Sequence, residues 1–268
     1  MASFPRRVTL GRSGLSVGPL GVSGGYGVGA GAVLRAFDRG VNYLYHGSRR
    51  NPGMAAAIRQ LVAAGHRAEL VIVLQSYSRS AGLLERSLTR GLRQLGIETA
   101  DVLLLGWYNR PPGDRLFERA DRMRENGMFR HLAVSGHRRP AFVGHAADKR
   151  ISIIHVRYNA AHTGAETDIF PHLPAEGRPG VVAYTATSWG ALLKSRRMPP
   201  GEPPLRGRDC YRFVLSNPHF NVCMSGPRDD AQMDEALAAL DGGPLSPEED
   251  ARIRRIGRWV HEHALFAR

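Results

Sequence analysis

The chain has 268 residues, 43% of them hydrophobic, and this length suits one large barrel domain better than two full domains. Its formal net charge is +13, carried almost entirely by arginine. The arginines are scattered along the chain and are not interleaved with aromatic residues, which argues against a nucleic-acid interface and predicts a solvated basic surface. The longest apolar runs, residues 70–74 and 102–105, are far too short to cross a bilayer, so no membrane association is predicted.

The chain also carries few signs of secretion or metal binding. No apolar run follows the basic residues Arg6 and Arg7, so we expect no signal peptide. The two cysteines, Cys210 and Cys223, form no CxxC pair and have no histidines at metal-ligand spacing. We therefore expect buried, reduced thiols, no metal site and a cytoplasmic location. No linker-like segment divides the chain, and residues 1–268 are predicted to form a single domain.

The first predicted element is a β-hairpin over residues 8–17, with its turn at residues 11–14. After it, short apolar runs alternate with longer amphipathic segments as far as residue 240. The runs are rich in Val, Ile and Leu with little polar alternation, which is typical of parallel strands buried on both faces. Predicted strands cover residues 19–23, 41–44, 70–74, 101–105, 132–135, 151–156, 180–184 and 220–224.

Helical segments lie between these strands and have apolar residues at three- and four-residue spacing. Predicted helices cover residues 32–39, 54–64, 81–95, 114–125 and 228–240. Glycines that can take the left-handed C-cap conformation follow four of them: Gly40, Gly65, Gly96 and Gly127. A capping box at Ser246 begins a final helix that runs to about residue 263. The pattern predicts an α/β fold, a closed (β/α)8 TIM barrel with an N-terminal β-hairpin and an extra C-terminal helix.

A doubly wound sheet is the alternative fold. Residues 27–32, Gly-Val-Gly-Ala-Gly-Ala, fit the GxGxxA dinucleotide fingerprint and follow a strand. That fold needs an acidic residue at the end of the next strand, where Asn42 and Tyr45 stand instead, and it leaves the hairpin unexplained. We therefore interpret residues 27–32 as a barrel loop.

Five segments, in order, resemble the aldo-keto reductases: residues 10–17, 36–43, 100–105, 180–185 and 212–218. The resemblance covers about residues 7–240. It implies a TIM barrel whose site lies at the C-terminal ends of the strands. It also implies a nicotinamide cofactor, usually NADPH, and an Asp, Tyr, Lys and His tetrad that reduces carbonyl groups. In that tetrad the tyrosine donates a proton, the Asp–Lys pair lowers its pKa and the histidine orients the substrate.

All four tetrad positions differ in this chain. Tyr45 stands at the aspartate position, Arg50 at the tyrosine position, Gln75 at the lysine position and Gly106 at the histidine position. A glutamine supplies no positive charge, and a glycine supplies no side chain. The standard proton-delivery machinery of the family is therefore absent.

Other residues near the same strand ends are candidates to replace it. Tyr45, beside arginines, is expected to have a lowered pKa and to act as an acid. His46 is a second candidate proton donor, and Arg49 with Arg50 is expected to clamp a carboxylate or phosphate. The predicted catalytic set is Tyr45, His46, Arg50 and Gln75. We expect it to surround the barrel mouth together with Tyr77, Trp107, Tyr108, His137 and His155.

At the positions that the resemblance assigns to cofactor binding, this chain keeps more of the expected residue types than at the tetrad positions. Tyr184 matches the aromatic residue on which the nicotinamide stacks, and Ser135 matches a carboxamide contact whose asparagine partner is Gly136 here. His155 stands where the family has a glutamine. Thr185 lies in the pyrophosphate loop, and Arg228 is the candidate 2′-phosphate contact that would favour NADP over NAD. The predicted cofactor-binding set is Ser135, His155, Tyr184, Thr185, Gly226, Arg228 and Glu235.

Three hypotheses follow. The first is an NADP(H)-dependent oxidoreductase that reduces a small-molecule carbonyl with a non-standard proton donor. The second is a catalytically inactive barrel that binds NADPH or another anionic ligand as a sensor or partner subunit. The third, a binder of nucleic acid or an acidic partner, has only the net charge in its favour. The substrate and the oligomeric state stay open.

Overall fold

The computed structural model describes residues 3–47 and 51–263. Eight strands of this part close into a parallel barrel in which the last strand pairs with the first. In barrel order they are β3 (Leu20–Ser23), β4 (Tyr43–Tyr45), β5 (Val71–Ser76), β6 (Ala100–Leu105), β7 (Phe129–Ser135), β8 (Ile153–Arg157), β9 (Gly180–Tyr184) and β10 (Val222–Ser225). The predicted (β/α)8 barrel is confirmed, and each strand overlaps the segment expected for it.

The predicted hairpin is also confirmed, as β1 (Val8–Thr9) paired antiparallel with β2 (Ser16–Val17). Its Leu10 and Val17 are fully buried with the side chains that fill the barrel interior. The fit is tight, since a Cβ on Gly180, at the start of β9, would lie 2.6 Å from Cδ1 of Leu10. The hairpin therefore closes the N-terminal end of the barrel and leaves the C-terminal end for a ligand.

Helices pack around the strands and form the outer layer of the core. They are α1 (Ala30–Asp38), α2 (Pro52–Ala63), α3 (Ala81–Leu95), α4 (Asp114–Glu125), α5 (Ala141–Ala147), α6 (Ala165–Asp168), α7 (Gly207–Leu215), α8 (Asp230–Asp241) and α9 (Pro247–Glu262). The four glycines expected to end helices all have positive φ, between 66° and 91°. Three helices, α5 to α7, are absent from the prediction. Of these, α5 and α6, with seven and four residues, are too short for a clear apolar repeat.

Two further expectations concern the whole described chain. Cys210 and Cys223 are buried free thiols, as predicted. Within residues 3–47 and 51–263, none of the helices combines the length and the apolar character needed to span a membrane.

Candidate functional site

A cavity of about 730 Å³ opens at the C-terminal end of the barrel. It is lined by the last residues of five strands: Ser23, Tyr45, Ser135, Tyr184 and Ser225. A volume of this size is typical of a small-molecule site. The barrel thus has an open cavity at the end where enzymes of this fold hold their active sites.

All seven predicted cofactor-binding residues line this one cavity, namely Ser135, His155, Tyr184, Thr185, Gly226, Arg228 and Glu235. Five different strand ends or loops supply them, so their convergence is a property of the fold. Their roles toward a cofactor stay predictions.

The end of the cavity expected to hold a nicotinamide is fixed by hydrogen bonds. The Tyr184 hydroxyl donates to the Gly136 carbonyl at 2.7 Å, and burial raises the pKa of Tyr184 to about 12. The Ser135 hydroxyl accepts from the backbone N–H of Trp107 at 3.3 Å. A Cβ at Gly136 would lie 2.7 Å from the Tyr108 carbonyl oxygen, which explains why no side chain stands there.

The charged side chains that line the cavity, Arg228 and Glu235, lie at its other end. Arg228 lies just before α8, and its side chain is 70% exposed, 3.2 Å from Asp229. Asp229 caps α8 by accepting from the N–H of Gln232 at 2.9 Å, so an incoming anion would meet a helix that is already capped. Glu235 is paired with Arg206. Arg228 is therefore the more accessible cation of this end.

Tyr45 and Gln75 both line the cavity and contact each other, because the Tyr45 hydroxyl donates to Oε1 of Gln75. The expectation of a lowered Tyr45 pKa is wrong. Burial, and then the neighbouring phenol of Tyr77, hold the pKa of Tyr45 well above its usual value. Tyr45 is thus a protonated hydrogen-bond donor at neutral pH.

His46 does not line the cavity, which corrects its predicted place at the barrel mouth. Successive residues of a strand point to opposite sides, and Tyr45 takes the inward direction. His46 is buried on the outer side, where its Nε2 lies 3.5 Å from Oε1 of Gln94 on α3. Burial lowers its pKa. The predicted Arg50, with Arg49, lies outside the described residues.

Gly106 stands at the position that the resemblance assigns to a histidine, and the space beside it is occupied by the side chains of Tyr77 and Gln75. A Cβ on Gly106 would lie 2.5 Å from Cδ1 of Tyr77 and 2.7 Å from Nε2 of Gln75. The rings of Tyr77 and Trp107 meet edge to face, with centroids 5.2 Å apart. A side chain at position 106 would therefore overlap Tyr77 and Gln75 in their present positions.

His155 lines the cavity but is almost fully buried. Its Nε2 is 2.8 Å from the Tyr43 hydroxyl, inside the barrel. Burial lowers the pKa of His155 to about 3 and raises that of Tyr43 above its usual range. The pair is neutral and can contribute hydrogen bonds but no charge.

Two features of the cavity are missing from the sequence-based prediction. Tyr26 and Leu193 form exposed apolar parts of its rim. In addition, three of the four non-glycine residues with positive φ in the described chain line it, namely Trp107, Thr185 and Trp189 at 61°, 62° and 52°. Such strained backbone is concentrated at binding and catalytic sites. The only sequence signal for these residues is their place in loops that follow strands.

The comparisons with known proteins bear on the fold. No model of a known protein family matches the chain, and neither does any curated protein sequence. Among solved structures, the holo form of aldo-keto reductase AKR11C1 from Bacillus halodurans matches with a TM-score of 0.76 and 18% identity, over 93% of this chain and 95% of that one. Its apo form matches with a TM-score of 0.73 and 19% identity, over the same shares. The protein thus has the barrel fold seen in this aldo-keto reductase.

Proposed function

We propose that the protein binds NADPH in the cavity and reduces a carbonyl compound there, with Tyr45 as the proton donor. The observation that carries this proposal is the convergence of Ser135, Tyr184 and Arg228 on one cavity at the C-terminal end of the barrel. The residues present fit such a cofactor. Tyr184 offers an aromatic face and Ser135 a hydroxyl at one end, and Arg228 offers an exposed guanidinium at the other.

NADPH would supply the hydride, and the protein would supply hydrogen bonds to the carbonyl oxygen. Tyr45 is the phenol that lies at the strand end of β4, and its hydrogen bond to Gln75 holds it in place. Because its pKa is raised and no lysine stands at position 75, we expect slower turnover than a cation-assisted tyrosine would give.

A second candidate function is NADPH binding without turnover. The specific observation in its favour is that the partners of Tyr45 among the described residues, Gln75 and Tyr77, are uncharged. A sensor or partner subunit would need the cofactor end of the cavity and would not need a strong acid.

The first experiment is a titration with NADPH and with NADH, followed by tryptophan fluorescence, because Trp107 and Trp189 line the cavity. Arg228→Ala is expected to weaken NADPH about tenfold and to leave NADH nearly unchanged, since only NADPH carries the 2′-phosphate. Arg258→Ala, which removes an exposed arginine on α9, is the matched control. Absence of binding to either nucleotide in wild-type protein would refute both candidate functions.

Turnover then separates the two. With an aldehyde substrate, Tyr45→Phe is expected to lower kcat at least a hundredfold and to leave the NADPH affinity unchanged. Tyr77→Phe is the control that removes the neighbouring hydroxyl. If wild-type protein binds NADPH and reduces no member of an aldehyde panel, the binding function stands and the reductase does not.

A further inference from the structure

A second cleft, of about 480 Å³, lies beside the main cavity between the loops that follow β5 and β6 and the start of α4. Three arginines line it, namely Arg79, Arg110 and Arg115, and none of the described residues that line it is acidic. Trp107 lines both this cleft and the main cavity. The two spaces are therefore adjacent, with Trp107 between them.

The three arginines of the cleft have no carboxylate partner among the described residues. Nearby, Arg119 of α4 pairs with Glu85 at 3.0 Å. Within residues 3–47 and 51–263, no ion pair includes Arg79, Arg110 or Arg115. The residues outside those ranges include no Asp or Glu. Asp114 precedes Arg115 in the chain but is not among the residues that line the cleft. Three arginines without an ion-pair partner, on a lining that has no carboxylate, suit an anion.

The wall of the cleft is held by hydrogen bonds. Arg79 donates to the carbonyls of Tyr77 and Trp107 at 2.9 and 2.6 Å, and its guanidinium lies 3.9 Å from the centre of the Tyr108 ring. The Tyr108 hydroxyl donates to the Ser78 carbonyl at 2.8 Å. The Tyr108 carbonyl accepts from the buried His145 at 2.9 Å. These bonds fix Arg79 and the loop that carries Arg110 before any ligand binds.

We propose that this cleft binds the carboxylate of an acidic substrate whose planar body lies against Trp107 and extends into the main cavity. A guanidinium and a carboxylate match in shape and can form two parallel hydrogen bonds. Tyr77, Trp107 and His137 form a row of rings, with successive centroids 5.2 and 5.8 Å apart, that suits a flat apolar body. The carboxylate site stands on the cleft alone, whereas the description of its ligand as a substrate rests on the proposed reductase function.

The test compares 4-carboxybenzaldehyde with its methyl ester, which has the same aldehyde and ring without the charge. Binding is measured by calorimetry on the full chain without any cofactor. The acid is expected to bind about tenfold more tightly than the ester. The double variant Arg110→Gln/Arg115→Gln is expected to bind the acid about tenfold more weakly and the ester as before. Arg79 is left in place because it supports the loop.

The control is Arg86→Gln/Arg122→Gln, which removes the same charge from two exposed arginines outside the cleft. It is expected to bind the acid like wild-type protein. Equal affinity for acid and ester, or equal weakening by the two double variants, would overturn the proposed site. An NADPH titration of the same variants keeps the proposals apart: preference for the acid without NADPH binding would uphold the cleft and refute the reductase.

Discussion

Replacing His155 tests the buried neutral pair at the cavity through the pH dependence of stability. Folding lowers the pKa of His155 from 6.5 to about 3, because the ring is buried beside the Tyr43 hydroxyl and has no charged partner. The unfolded chain therefore binds a proton at this residue between those values, and the folded protein does not. A histidine with a lowered folded pKa contributes stability above its unfolded pKa that is lost as the pH falls.

The size of this effect follows from the two pKa values. Between pH 7 and pH 5 the unfolded histidine becomes almost fully protonated, and the folded one stays neutral. Linkage then predicts that the free energy of unfolding falls by about 2 kcal/mol from this residue alone. Other histidines, such as the buried His46 and the half-buried His162, add to the total because burial lowers their pKa values too. The loss in the free energy of unfolding from pH 7 to pH 5 must therefore be compared between wild-type protein and a variant that lacks His155.

His155→Gln keeps a hydrogen-bonding side chain near Tyr43 and removes the titrating ring. Urea unfolding of cofactor-free protein at pH 7 and pH 5 should show a loss of stability about 2 kcal/mol smaller in His155→Gln than in wild-type protein. His172→Gln, which changes an exposed histidine, is the control and should lose as much stability as wild-type protein. An equal loss in His155→Gln and wild-type protein would refute the buried neutral pair.

Two further predictions concern the framework of the site. Gly106→Ala should lower the free energy of unfolding by about 1–2 kcal/mol through overlap with Tyr77 and Gln75, and by less than half of that in a Tyr77→Ala background; an equal cost in both backgrounds in urea titrations would contradict the clash. Asp101→Ala should cost about 2–3 kcal/mol, because this buried carboxylate on β6 pairs with Arg67 at 3.0 Å and accepts from the N–H of Ile72 at 2.9 Å. A thermal midpoint unchanged from wild-type protein would show that those contacts contribute no stability.

Local sequence patterns predict most of the fold. Uninterrupted Val, Ile and Leu runs mark strands that are buried on both faces, and glycines such as Gly96 mark helix ends, because both signals depend on a few neighbouring residues. The convergence of Ser135, Tyr184 and Arg228 follows from the barrel itself, since every strand end meets at one mouth. The fold therefore brings such distant residues together once the strand order is known.

The properties of single side chains were harder to predict. The pKa of Tyr45 depends on burial among residues such as Tyr77 that are about 30 positions away, and no local pattern encodes that burial. The orientation of His46 depends on which of two neighbouring residues points into the barrel. The interpretation of His46 as an acid at the mouth rests on its position in the sequence and takes no account of its direction. The second cleft is absent from the prediction because Arg79 and Arg110 come from two separate loops and Arg115 from the start of α4.

The residues Tyr45, Gln75 and Gly106, which stand at three of the positions that the resemblance assigns to the tetrad, constrain one another through their contacts. A lysine at position 75 would place a charge beside the buried Tyr45, and the one carboxylate among the described lining residues, Glu235, is paired with Arg206. A histidine at position 106 would overlap Tyr77. Among the described residues, Tyr45, Gln75 and Tyr77 give the middle of the cavity uncharged side chains, and arginines stand at two separate places, Arg228 at one end and the arginine cleft beyond Trp107. That charge distribution fits two anionic ligands, or a cofactor and an acidic substrate, that meet in a neutral centre.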